Sequence, residues 1–241
     1  MSPMRPAPVT GTSSMATRAL LAELVASYAQ PVAVESVGGV DAAKRVMAGE
    51  AFDVVVLASD AIDKLIAAGR VLAGSKADLV RSGVAVAVKA GAARPDITSE
   101  QAVKRAVLAA PTLGYSTGPS GVQLASLFER WGIAQEIAPR IVTAPPGVPV
   151  GTLVARGEVA LGFQQLSELM SLEGIDVLGP LPPAIQITTT FSAGVCTAST
   201  QPDAARALLT FLASPSTAQT KQRHGMQPGG AHGAPASTAT A

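Results

Sequence analysis

Two short stretches of this chain are aliphatic without interruption: Val54-Val-Val-Leu57, after Asp53, and Val84-Ala-Val-Ala-Val88, between Gly83 and Lys89. A strand with one face in water alternates apolar and polar residues, whereas a strand without alternation has both faces covered. Between such runs the apolar spacing changes to a helical one, as at Leu20, Leu21, Leu24, Val25 and Tyr28. Strands alternating with helices are the sign of an α/β fold.

The pattern predicts a strand at Pro8–Thr12, a helix at Ala16–Ala29 capped by Ser13 or Ser14, and a strand at Val32–Ser36. A helix over Asp41–Ala48, the strand Asp53–Leu57, a helix over Ala61–Ala68 ended by Gly69, and the strand Gly83–Lys89 follow. Thr98-Ser-Glu-Gln101 has capping-box form for a helix reaching Ala109. A strand at Thr112–Tyr115 leads to a helix carrying Leu124, Leu127, Phe128 and Trp131. Pro149 opens another helix that Gly157 closes. Strands at Val159–Gln164, Ile175–Leu178 and Gln186–Cys196, then a helix at Pro202–Ala213, complete the order. From Pro228 the sequence is Gly, Ala, Ser, Thr and Pro with one His, and reads as a disordered tail.

Composition narrows the function. Apolar residues are 48% of the 241 and aromatics 3%, so the core is aliphatic; a net charge of +1, with scattered Lys and Arg, gives no footprint for nucleic acid or an anionic membrane. No apolar run approaches the roughly 20 residues of a membrane span. Met1–Pro6 has no apolar signal core, which leaves a cytoplasmic location open. Cys196 reads as a small buried hydrophobe, and His224 and His232 as surface residues without metal-ligand spacing. Ser116-Thr-Gly-Pro-Ser-Gly121 lacks the lysine of a phosphate loop, and no cofactor is expected.

In open α/β sheets, ligands bind beyond the carboxyl ends of the strands, where helix N-termini offer unpaired N–H groups to an anion. Four strand-to-helix turns have the small, hydroxyl-bearing or Gly/Pro-rich composition such a site uses: Thr12-Ser13-Ser14, Gly38-Gly39-Val40, Ser116 to Val122, and Gly147 to Val150. Candidate ligand-binding residues are Ser13, Ser14, Gly39, Val40, Ser116, Ser120, Gly121, Val122 and Val150. Arg81 and Ser82 before the strand Gly83–Lys89, and Gln164 and Gln165 after a later one, extend the set. Arg81 would suit a carboxylate held by two hydrogen bonds.

Five segments in order resemble the molybdate-type branch of the type II periplasmic substrate-binding proteins. They are Ser13-Ser14, Ala48-Gly-Glu-Ala-Phe-Asp-Val-Val-Val56, Gly114-Tyr-Ser-Thr-Gly-Pro-Ser-Gly121, Leu153-Val-Ala-Arg-Gly-Glu-Val-Ala-Leu-Gly162 and Ala207-Leu-Leu-Thr-Phe-Leu-Ala-Ser-Pro215. The resemblance implies two α/β lobes, each a mixed sheet flanked by helices, joined by two crossing strands near Val84–Val88 and Ile187–Phe191, with ligand in the cleft between them. Lobe one would be residues 1–86 plus 190–228, lobe two 87–189, and 229–241 the tail. It also implies a monomeric periplasmic binder of a small anion, an oxyanion or a small carboxylate, serving a membrane permease of the ABC type. Val40 departs from the family, which carries a ligand-binding serine there; the Gln164–Ser167 region, where the family often has a tyrosine or acidic residue, departs too.

Fold does not decide between binding and catalysis. Aconitate isomerase resembles this family, and moving a double bond in a tricarboxylate requires a positioned base. Glu168 and Asp41 are the candidates, each at a predicted helix start. A ligand-sensing domain inside the cell is a further alternative. The residues alone favour the binder.

Overall fold

The computed structural model describes residues 7–145 and 147–230. β1 (Val9–Ser14), α1 (Arg18–Ala26), β2 (Val32–Val37), α2 (Gly39–Met47), β3 (Val54–Ala58) and α3 (Ser59–Ala67) come first. β2 and β3 flank β1, both parallel to it. Parallel partners point the same way, so Gly11 and Ser13 share a face with Val54 and Val56, while Thr12 and Ser14 share the other with Val55 and Leu57. The first face packs with Leu20, Leu21 and Leu24 of α1, the second with Ala42 and Val46 of α2 and Ile62 and Leu65 of α3. Helices therefore cover both sides of β3, as its unbroken aliphatic run requires.

β4 (Ala77–Lys89) changes partners midway. After it come α4 (Glu100–Ala109), β5 (Leu113–Tyr115), α5 (Pro119–Arg130), α6 (Ala134–Ile137), β6 (Ile141–Thr143) and α7 (Val150–Arg156). β7 (Leu161–Gln165), α8 (Leu166–Leu169), β8 (Ile175–Pro180), β9 (Thr188–Val195), α9 (Pro202–Ala213), α10 (Ala218–Arg223) and β10 (Gln227–Pro228) complete the chain. Residues 77–83 of β4 pair with β9, whereas 84–89 run between β7 and β8. The switch falls between Gly83 and Val84, and β9 begins at Thr188 on the return. One half of the molecule thus holds β1, β2, β3, β9, β10 and the start of β4. The other holds the end of β4 with β5 to β8, around a core of Val84, Val86, Leu113, Leu127, Phe128 and Phe163.

Several boundaries differ from expectation. β1 runs on to Ser14, because pairing with β2 continues to Ser14 and Val37. The helix after it starts only at Arg18, behind a 3-10 turn at Met15–Thr17, and neither Ser13 nor Ser14 caps it with its side chain. β4 begins at Ala77, six residues before Gly83, since its first half mixes Asp78, Arg81 and Ser82 with apolar residues and lacks the continuous apolar signal. Ser99 caps α4 by accepting from the Ala102 N–H at 3.2 Å, while Thr98 bonds to Asp96, so the anticipated capping box does not form. Pro228 and Gly229 are not tail: Gln227 and Pro228 pair with Arg81 and Val80, and the Gly229 N–H donates to Leu79. The rest of the expected tail, from 231, with His232, lies outside the described residues.

Candidate functional site

β1, β2 and β3 end side by side at Ser14, Val37 and Ala58, and α2 starts directly above them. Strand alternation separates the two serines. Ser13 faces α1, with its hydroxyl 2.7 Å from that of Ser36. Ser14 faces the first turn of α2, where a Cβ on Gly39 would stand 3.5 Å from the Ser14 Cβ and 4.0 Å from Leu57. The Ser14 Oγ is buried without a partner, and so is that of Thr12 one pleat deeper. The first intrahelical bond of α2 is Ala42 N–H to Gly38, which leaves the N–H groups of Gly39, Val40 and Asp41 without helical acceptors. A buried hydroxyl lacking a partner costs about 1–3 kcal/mol, which a ligand oxygen seated at this turn would return. Val40 stands over the turn with about half its surface exposed, 52%. Asp41 is exposed, its carboxylate turned back toward Gly38.

The opposite wall comes from β7, α8 and the starts of α5 and α7. Gln164 is 4% exposed: its side-chain carbonyl accepts the Gly151 N–H at 3.0 Å, and its amide N–H donates to Glu168 Oε2 at 2.6 Å. Burial pushes the Glu168 carboxyl up to about 7, against the opposing pull of the Gln164 hydrogen bond. The Gln165 amide donates to Thr189 at 2.9 Å, and its carbonyl is buried without a partner. At the start of α5 the Ser116 and Ser120 hydroxyls lie 3.3 Å apart. Gly121 is there for close approach: a Cβ would sit 1.5 Å from the Ser116 carbonyl oxygen. Val150 is buried in the first turn of α7. Val122 is exposed and lines a groove of about 260 Å³ with Gln123, Arg130 and Ile187.

The halves touch at the 3-10 turn after β1. Ser167 Oγ donates to the Ala16 carbonyl at 2.9 Å and lies 3.5 Å from Ser82 Oγ, while Leu166 and Met170 pack against Gly225. Ser14, Gly39 and Val40 therefore gather on one side, and Gln164, Gln165 and Glu168 on the other, with Ser82 where they meet. Arg81, adjacent to Ser82 on the strand, points to the other face; it is exposed and donates to Gln227 at 3.3 Å. Pairing with β10, which the sequence does not announce, fixes that direction.

Among residues the sequence reading passed over, Ser59 starts α3 at the end of β3. Ser167, expected with Gln164 and Gln165 within reach of the cleft, makes a contact between the halves. Lys221 on α10 is 1% exposed, the only buried cation among the described residues, and burial pushes its ammonium pKa down. Cys196 is buried, with its thiol pushed up to about 12 by burial and by the nearby Asp53 carboxylate. His224 pairs with Glu23 at 2.8 Å.

A family model for bacterial extracellular solute-binding proteins matches residues 9–227. The chain belongs to this family. It is 41% identical over 185 residues to a Pseudomonas protein named aconitate isomerase, a match covering 76% of this chain and 70% of that one. Among solved structures, the Azotobacter vinelandii periplasmic molybdate-binding protein aligns with a TM-score of 0.75 at 18% identity, over 90% of this chain and 98% of that chain. The sulfate-binding protein of Mycobacterium tuberculosis aligns at 0.73 and 14% identity, over 92% and 87%. At those identities the likeness carries the fold: the molecule has the two-lobed type II periplasmic-binding-protein architecture. No helix among the described residues is long and apolar enough to cross a membrane.

Proposed function

We propose that this solute-binding family member holds a small unsaturated polycarboxylate of the aconitate type between its lobes and moves the double bond within it, with Glu168 as the base. The observation that carries the reading is Glu168 itself, a carboxyl raised to about 7 by burial and held in place beside the inter-lobe contact. A carboxylate of ordinary basicity is a poor acceptor for a carbon-bound proton; one matched to neutral pH is a much better one. The 41% identity to a protein named aconitate isomerase supports the same reading.

In this scheme Glu168 takes a proton from the methylene carbon beside the double bond. The electron pair of that C–H bond becomes the new double bond, and the old one shifts its pair toward the far carbon. Glu168 then returns the proton there, so nothing is oxidised and no co-reactant is consumed. Negative charge grows on a substrate carboxylate while the proton is on Glu168. Donors fixed in advance, the N–H groups opening α2 and the Ser14 hydroxyl, suit that charge. Neutral donors rather than Arg81 would hold the anion.

A second reading is favoured by the close fold likeness to periplasmic anion binders: the chain delivers its ligand to a permease and does no chemistry. Both readings place the ligand in the cleft, and family membership supports a location outside the cytoplasmic membrane. Kinetics and calorimetry on wild type and Glu168→Gln separate them. The isomerase reading expects wild type to convert cis-aconitate to the trans isomer. It expects Glu168→Gln to lose about 10²–10⁴ in rate while binding changes little. Aconitate bound by both proteins and converted by neither would leave the transport reading standing.

A further inference from the structure

Gln164 sits at the junction of three elements. It is the penultimate residue of β7, paired with Ala85 of β4. Its amide orientation is decided by chemistry: the Gly151 backbone N–H can only donate, so the side-chain oxygen must face it, and the NH₂ group must face Glu168. The platform under this link is tight. A Cβ on Gly151 would come within 2.4 Å of Leu172 and 3.0 Å of Leu169, so α7 packs directly against the segment that carries Glu168.

We infer that Gln164 is a positioning residue, turned by the Gly151 N–H so that its amide grips Glu168 Oε2 and leaves Oε1 as the oxygen that takes the substrate proton. This rests on the isomerase reading. An N–H donor beside Oε2 favours the ionised carboxylate and keeps the proton off that oxygen. Gln164 therefore sets which oxygen reacts and holds the carboxyl below where burial alone would put it.

Other charges do not do this work. The elements packed on the Glu168 segment are the 3-10 turn Met15–Thr17, with no charged residue, β7, likewise uncharged, β4, β8, α7 and the turn at Gly225 after α10. Arg156 of α7 pairs with Glu158, and Arg223 and His224 before Gly225 pair with Glu23. Arg81 of β4 donates to Gln227, Asp78 accepts from Ser192, and Lys89 lies at the far end beside Gly157. Asp176 of β8 accepts from the Gly91 N–H.

The test compares Gln164→Met, which keeps the length and removes both hydrogen bonds, with Gln164→Glu, which keeps an acceptor for Gly151 and places a second carboxyl beside Glu168. Two readouts are needed: the Glu168 carboxyl titration by carbon NMR in the ligand-free protein, and the pH–rate profile for aconitate conversion. Both variants should raise the titration midpoint and move the acid limb upward by about one unit or more, Gln164→Glu the further. Below that limb the rate should fall about tenfold per unit, in kcat more than in KM. An unchanged midpoint and limb in both variants would overturn the inference. Should wild type convert no aconitate, the isomerase reading falls by itself, while the titration still reports whether Gln164 governs Glu168.

Discussion

The end of β1 and the end of β7 are the same kind of turn, finished in opposite ways. At Ser14 a hydroxyl is buried with nothing to bond, under helix N–H groups that also lack acceptors. At Gln164 both ends of the amide are engaged, and the partner, Glu168, is a titratable group shifted toward neutrality. An unsatisfied wall gains most when a ligand arrives, because the cost of the orphan groups is already present in the empty protein. The satisfied Gln164–Glu168 link gains little from binding but holds a group still enough for chemistry, although the Gln165 carbonyl next to it is also buried without a partner. In the proposed isomerase reading the lobes divide the labour: one receives the anion, the other handles its proton.

That division breaks most sharply with Glu168→Gln and Ser14→Ala side by side. Steady-state assays should show Glu168→Gln losing about 10²–10⁴ in turnover with nearly normal affinity. Calorimetry should show Ser14→Ala binding about ten- to a hundredfold more weakly, equivalent to about 1.5–3 kcal/mol for a lost bond to a charged ligand. Its pH–rate limb should stay where it was, and ligand-free melting should be unchanged or slightly higher. Equal losses of both properties in both variants would dissolve the distinction.

A smaller effect sharpens it without any ligand. The Glu168 carboxyl is raised by burial from its ordinary value of 4.5 to about 7 on folding, so the folded state holds the proton more tightly. Its stabilising contribution is complete below about 4.5 and is lost as pH rises through 7. Melting temperature should therefore slope downward between pH 5 and 8, and Glu168→Gln should flatten that slope. Ser14→Ala should leave it intact. The smallest expected effect belongs to Arg81→Ala: since the guanidinium faces β10 and solvent, aconitate affinity should move less than about threefold, within the usual range for surface changes.

Much of this was readable from the chain. The aliphatic runs in β3 and β4 announced doubly covered strands, and α9 falls at the expected Pro202–Ala213. The family resemblance placed the crossings near Val84–Val88 and Ile187–Phe191. What escaped depended on long-range pairing. β10 and the first half of β4 form because distant segments meet, and neither carries a local apolar signature. Ser13 and Ser14 are adjacent and chemically alike, so only strand alternation shows which faces α2. Arg81 read as a carboxylate grip until β10 fixed its direction. Glu168 read as a helix-start carboxylate like Asp41; the burial that distinguishes them is a tertiary property.

The most direct test is proton NMR of the wild-type protein with cis-aconitate in D₂O at neutral pH. The account predicts trans-aconitate growing in until the two isomers reach equilibrium, from either starting isomer, with deuterium entering the methylene as the Glu168 proton exchanges with solvent. Aconitate that saturates the cleft yet keeps its geometry and all its carbon-bound protons would contradict it, and the cleft would then be one that only binds.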